Sequence, residues 1–304
     1  MNTIEASYEH CRRVAAGAAS NFYLAFWLLP EKQHRAMCSL YAFLRRSDDL
    51  GDSDRSLDER RWSLRAWRSS LAAALAGEYD DPIWPALIDT MQRYEIPHSW
   101  FEEVLDGIES DLGSVRIKTY EELSLYCHRV AGVVGKSCLQ IWGYSDRAAL
   151  ELADDCGRAF QLTNILRDLA DDLEHDRVYL PAEDFARFGC TPDDLRGARA
   201  TDELREMLRF EVARAKEYFA ATEALGGYLS RDGRRVLQMM VETYRCLLSQ
   251  LDARDGDLIG DRIEVGWWNK LWILGRSLFV GEPHRSPPRN RKMKHRMITA
   301  RQRT

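Results

Sequence analysis

Between Gly157 and Pro181 the chain contains neither glycine nor proline, and Phe160, Leu162, Ile165, Leu166 and Leu169 recur at helical intervals. The stretch reads as the middle of one long helix. Asn164, Asp168 and Asp172 stand four residues apart in it. Each step of four advances about 40° around a helix axis, so the three side chains form one slowly drifting stripe. Alone, such a stripe fits either a solvated acidic face or a wall of hard oxygen ligands of the kind that suits Mg²⁺.

The rest of the chain repeats the helical pattern. Helices are expected over 4–17, over Phe22–Trp27 up to Pro30, and over 31–50, 54–77, 82–94, 99–108 and 121–142. Further ones are expected over 200–226, 231–255 and 262–279, with an irregular excursion from Pro181 to Asp194. No β-alternation of any length, internal repeat or interior linker is evident. The expectation is an all-α, single-domain helical bundle over 1–282, followed by a basic tail, 283–304.

A second acidic cluster lies at the end of the 31–50 helix, in Asp48-Asp49-Leu50-Gly51-Asp52. Tyr41 and Arg45 precede it at helical spacing. Acids at a helix C-terminus oppose the macrodipole and need a compensating partner. If the two acidic helices face one another, their oxygens converge on one cavity. Mg²⁺ binds through one or two carboxylates, waters and phosphate oxygens, so paired clusters beside Arg45 and Arg167 suit a diphosphate. The abundant apolar helix faces then suit a hydrocarbon tail beneath that charged head.

Several function classes are excluded. The net charge is −5, yet His284–Thr304 holds eight Lys/Arg and no acid, so the body is strongly acidic and argues against nucleic-acid binding. Gly135-Lys136-Ser137 is not a phosphate loop, because the required first glycine is Val130 and no strand precedes it. The seven cysteines include no CxxC pair and read as reduced core residues. No signal peptide or membrane span is visible, which places the chain in the cytoplasm. The tail fits either a solvated disordered end or peripheral attraction to an anionic membrane surface. The sequence assigns no oligomeric state.

Three segments together resemble the squalene/phytoene synthase family of head-to-head prenyltransferases. Leu40–Asp52 is similar to its first aspartate-rich motif. Tyr126-Cys127-His128-Arg129-Val130-Ala131-Gly132-Val133-Val134-Gly135 is similar to its YCxxVAGxVG segment, and Phe160–Asp172 to its second aspartate-rich motif, followed by Arg177-Val178-Tyr179-Leu180-Pro181. The resemblance covers about residues 6–280. It implies the isoprenoid-synthase bundle with a central cavity. It also implies Mg²⁺, or Mn²⁺ in its place, on Asp48, Asp49, Asp52, Asn164, Asp168 and Asp172.

Catalysis would fall to Tyr41, Arg45, Asp48, Asp52, Tyr126, Asp168 and Asp172. Substrate contacts would come from Phe22, Phe26, Tyr41, Arg45, Gln161, Asn164, Arg167, Tyr244 and Arg262. The implied substrates are two prenyl diphosphates: two farnesyl units giving presqualene diphosphate or squalene, or alternatively two geranylgeranyl units giving phytoene. The first is the leading expectation. NADPH enters only if the product is reduced to squalene, and no nucleotide fingerprint is seen. Ala19-Ser20-Asn21-Phe22 departs from the family's SxSF pattern. A non-catalytic helical relative is the alternative from another class, and the presence of all six acidic-motif ligands argues against it. A class I terpene cyclase would share the acids but lack the YCxxVAGxVG segment.

Overall fold

A computed structural model describes residues 4–17, 21–197 and 199–259. The Phe22 side chain, Arg262, the expected helix 262–279 and the tail 283–304 lie outside the described residues. The described chain is a helical bundle. Its first half comprises α1 (Ile4–Gly17), α2 (Asn21–Phe26), α3 (Glu31–Gly51), α4 (Leu57–Leu75), α5 (Trp84–Arg93) and α6 (His98–Ser110). The second half comprises α7 (Tyr120–Cys127), α8 (Val133–Trp142), α9 (Ala148–Arg167), α10 (Leu169–Glu174), α11 (Ala182–Phe188), α12 (Asp202–Gly226) and α13 (Arg231–Ala253).

The helix starts follow local chemistry. Ser56 and Glu59 form a reciprocal capping box at α4. Thr201 and Ser230 cap α12 and α13 through side-chain oxygens. Trp67 and Trp84 stack at 4.2 Å, with Phe43 and Phe101 beside them, fastening α3 to α4, α5 and α6. The Trp67 indole donates to Ser47 Oγ at 3.0 Å, and that of Trp84 to Ser70 Oγ at 2.7 Å. This aromatic nest holds the end of α3 that carries Asp48. Helix α9 is the central rod: α12, α8, α13 and the segment before α8 all pack on it.

Three local features depart from the sequence expectation. The long helix breaks at Asp168, whose φ of −103° and ψ of 15° separate α9 from α10. Backbone bonds from Asp168 N to Asn164 O and from Asp172 N to Asp168 O survive at 2.9 and 2.8 Å, so the stripe stays aligned across the kink. The expected helix 121–142 contains a π-helical turn, His128–Gly132, between α7 and α8. Finally, β1 (Val115–Arg116) pairs in parallel with β2 (Arg177–Val178). Two residues each are too few to show alternation in the sequence.

The π turn has a visible cause. Gly157 of α9 lies so close to it that an added Cβ would sit 2.6 Å from the Ala131 carbonyl. One turn on, a Cβ at Gly135 would sit 2.9 Å from the Ala153 carbonyl oxygen. His128 bridges Asp154 of α9 at 2.7 Å and Glu103 of α6 at 3.0 Å. The backbones are drawn together by glycine contacts and fixed by a polar bridge. All seven cysteines are free thiols, six of them buried, as the core reading expects.

Candidate active site

Helices α3, α6 and α9 end at one place, and each brings acids to it. Asp48 and Asp52 come from the end of α3, Asp111 from the end of α6, and Asn164, Asp168 and Asp172 from the α9–α10 kink. These line a polar mouth with Gln161, Arg177, Tyr126 and Tyr179. The expected convergence of the two acidic walls is therefore present. Below the mouth lies an apolar cavity of about 370 Å³. The two share Asp48, Ile108, Asp111, Tyr126, Gln161 and Asn164, so head and tail regions are continuous.

The electrostatics of the mouth call for a cation. Desolvation by the surrounding mouth, reinforced by the neighbouring Asp52 charge, pushes the Asp48 carboxyl up to about 7, although the residue is open to solvent. Burial and then Asp168 push Asp172 up to about 7 as well. Crowded carboxylates ionise together only when positive charge joins them. Asn164 Oδ1 is buried with no hydrogen-bond partner, a stranded acceptor facing the same demand. Among the described residues no group of three or more acid, histidine or cysteine side chains is placed to hold a metal ion by itself. Mg²⁺ needs none when water and phosphate supply the remaining oxygens, so the donor set fits that ion.

The remaining expected residues separate into two groups. Tyr244 lines the cavity, its ring stacked on Phe160 at 4.1 Å and 8°. Tyr126 and Gln161 line both regions. Asp49, by contrast, turns from the cavity and pairs with Arg45 at 2.8 Å, both about half exposed. Tyr41, Arg45 and Arg167 are also absent from the lining among the described residues. Arg167 instead holds Asp168 through two bonds of 2.8 and 2.5 Å. Phe26 is a core residue at 2% exposure, packed edge-on against Tyr23 and Tyr41. Among the described residues, the aromatic side chains that line the site are Tyr126, Tyr179, Phe160, Tyr244 and Trp142.

Asp111 is the important addition. Its two oxygens accept from Tyr126 at 2.9 Å and Tyr179 at 2.8 Å, and those rings stack at 4.9 Å. Burial pushes the Asp111 carboxyl up to about 6 despite both hydrogen bonds. The pairing of β1 with β2 carries Tyr179 to it. The signal was available: Asp111 caps the C-terminus of a helix, the same anomaly that marked Asp48 and Asp52. Arg177, the other addition, donates to Asp52 at 3.3 Å and keeps a buried Nε without a partner.

An acidic mouth over an apolar cavity, enclosed by helices, is the architecture of an isoprenoid synthase. The chain belongs to the squalene/phytoene synthase family, whose family model matches residues 15–269, and it is a prenyltransferase. It is 34% identical to a 15-cis-phytoene synthase of Synechocystis sp., over 90% of this chain and 84% of that one. It is 32% identical to a phytoene synthase of Arthrospira platensis, over 88% and 91%. Among solved structures it is similar to a squalene synthase from Alicyclobacillus acidocaldarius, with TM-score 0.78 and 30% identity over 84% of this chain and 96% of that one. A dehydrosqualene synthase in complex with ligand aligns with TM-score 0.81 and 27% identity, over 90% and 96%.

Proposed function

We propose that the protein joins two allylic prenyl diphosphates head to head with release of diphosphate. The observation that carries this reading is the continuity of the carboxylate mouth with the enclosed apolar cavity. The curated relatives named phytoene synthase favour two geranylgeranyl units and a phytoene product, rather than the farnesyl pair expected first. The farnesyl reading remains as a second one, favoured by the squalene and dehydrosqualene synthases that share the fold.

In this reading Asp48, Asp52, Asn164, Asp168 and Asp172 would hold Mg²⁺ at the mouth where the diphosphate binds. The bound ion supplies Lewis-acid stabilisation of the departing diphosphate. Arg177 reaches the same oxygens from the rim, and its stranded Nε offers a donor. Arg167 fixes the Asp168 carboxylate in one orientation. Asp111 anchors the Tyr126 and Tyr179 phenols, which sets their rings at the boundary between mouth and cavity. The stacked faces of Phe160 and Tyr244 stabilise positive charge left on the allylic carbons. The second substrate's double bond attacks that carbon, and proton loss closes a cyclopropane that keeps the second diphosphate; ionisation of that diphosphate, rearrangement of the ring and loss of a second proton then give the phytoene hydrocarbon. The apolar wall keeps water from intercepting the cation. NADPH belongs to the scheme only if the product is reduced.

Asp168→Asn tests the role of the mouth. Diphosphate release should fall on the order of a hundredfold or more with helical circular dichroism unchanged. Full activity in that variant would contradict the assignment.

A further inference from the structure

The cavity has a fixed direction and a definite end. Gly157 lies level with Ala131, and Ala153 level with Gly135, so α9 runs antiparallel to the rod formed by α7, the π turn and α8. In that register Tyr126 stands at the acidic mouth. Trp142, the last residue of α8, lies beyond the start of α9 at the far end. The helical path between them is on the order of 24 Å. Trp142 lines the cavity at 3% exposure.

The end wall around Trp142 is pinned from three directions. Its carbonyl accepts from Gln33 of α3 at 3.3 Å and from Ser230 at the cap of α13 at 3.4 Å. Gly233 presses against it so closely that an added Cβ would lie 3.0 Å from Trp142 Cβ. The following loop is tied down by the Tyr144–Leu229 bridge and by a Ser145 N to Tyr228 O bond of 3.0 Å. The backbone cannot retreat, so the side chain at 142 sets the depth. The indole Nε1 is buried without an acceptor. Phenylalanine or leucine would fill an apolar floor without stranding that donor.

We propose that Trp142 sets the longest prenyl tail the cavity admits, its indole closing the channel at the end away from the carboxylates. The inference rests on the prenyl diphosphate reading above. The test compares kcat/KM of the wild type, Trp142→Phe, Trp142→Leu and Trp142→Ala on farnesyl, geranylgeranyl and geranylfarnesyl diphosphates, with Mg²⁺. The ratio of longer to shorter substrate should rise about tenfold or more in the leucine and alanine variants, with phenylalanine between them and the wild type. If the alanine variant does not fold, the other two carry the comparison. Active variants with unchanged ratios would overturn the gate alone. Folded leucine and phenylalanine variants inactive on every substrate would also overturn it, assigning Trp142 to the chemistry instead. A wild type that releases diphosphate from none of the three would overturn the prenyl diphosphate reading itself.

Discussion

Asp111 holds two phenols at once, and that arrangement makes a specific demand on its chemistry. A carboxylate accepts both hydrogen bonds, whereas an amide presents one acceptor oxygen and an NH₂ that cannot accept. Asp111→Asn can meet the second phenol only by donating to its oxygen, so one tyrosine should reorient and kcat should fall by about ten- to a hundredfold, with a smaller change in KM. Steady-state kinetics on the preferred prenyl diphosphate checks it; an unchanged kcat would reduce Asp111 to a packing residue. Asp48 and Asp172 make a pH prediction. In the fold both carboxyls are pushed up to about 7, whereas the unfolded chain releases its protons near the usual carboxylate value of about 4. The native state then binds more protons, so this contribution to stability falls as pH rises from about 4 to about 7. On the function proposed above, Mg²⁺ would compete with those protons for the same oxygens. Melting curves should show Mg²⁺ raising Tm more at about pH 8 than at about pH 5.5, relative to a chelator. Glu211, raised to about 8 by burial, and His34, lowered by burial, lie outside the lining of the mouth. Equal Tm with and without Mg²⁺ at both pH values would contradict the cation site.

The contact between α9 and the π turn decides the shape of the cavity wall. Gly157→Ala would drive a methyl group into the Ala131 backbone at 2.6 Å. The variant should lose about 2 kcal/mol or more, read as a lower denaturation midpoint, and should lose activity as Ala131 and Val130 shift into the cavity. Unaltered stability would show that the helices separate easily. This element also marks where sequence reasoning ends. Proline and glycine showed where some helices begin and stop, as at Pro30. The π turn was hidden because its setting is tertiary: it packs against Gly157, 26 residues beyond Ala131. The break at Asp168 was hidden for a different reason. It involves no proline or glycine, and the fourfold spacing of Asn164, Asp168 and Asp172 is compatible with either a straight or a kinked rod. Asp49 and Asp52 look interchangeable in the motif. Only the end of α3 separates them, with Asp52 at the mouth and Asp49 paired to Arg45.

At the scale of the molecule, the bundle places charge at one end of an enclosed apolar volume. The acidic clusters and the helical pattern made that polarity legible in the sequence. The length of the cavity was not legible, because it depends on where α8 ends against α3 and α13. Among the described residues no helix is long and apolar enough to cross a membrane. The most direct test of the account is to incubate the full chain with Mg²⁺ and either farnesyl or geranylgeranyl diphosphate, with and without NADPH, and to identify both products. The account predicts stoichiometric diphosphate release with a hydrocarbon or cyclopropyl diphosphate built from two prenyl units, with geranylgeranyl diphosphate the better substrate. No release from either substrate, or release accompanied only by the single-unit prenyl alcohol, would contradict it.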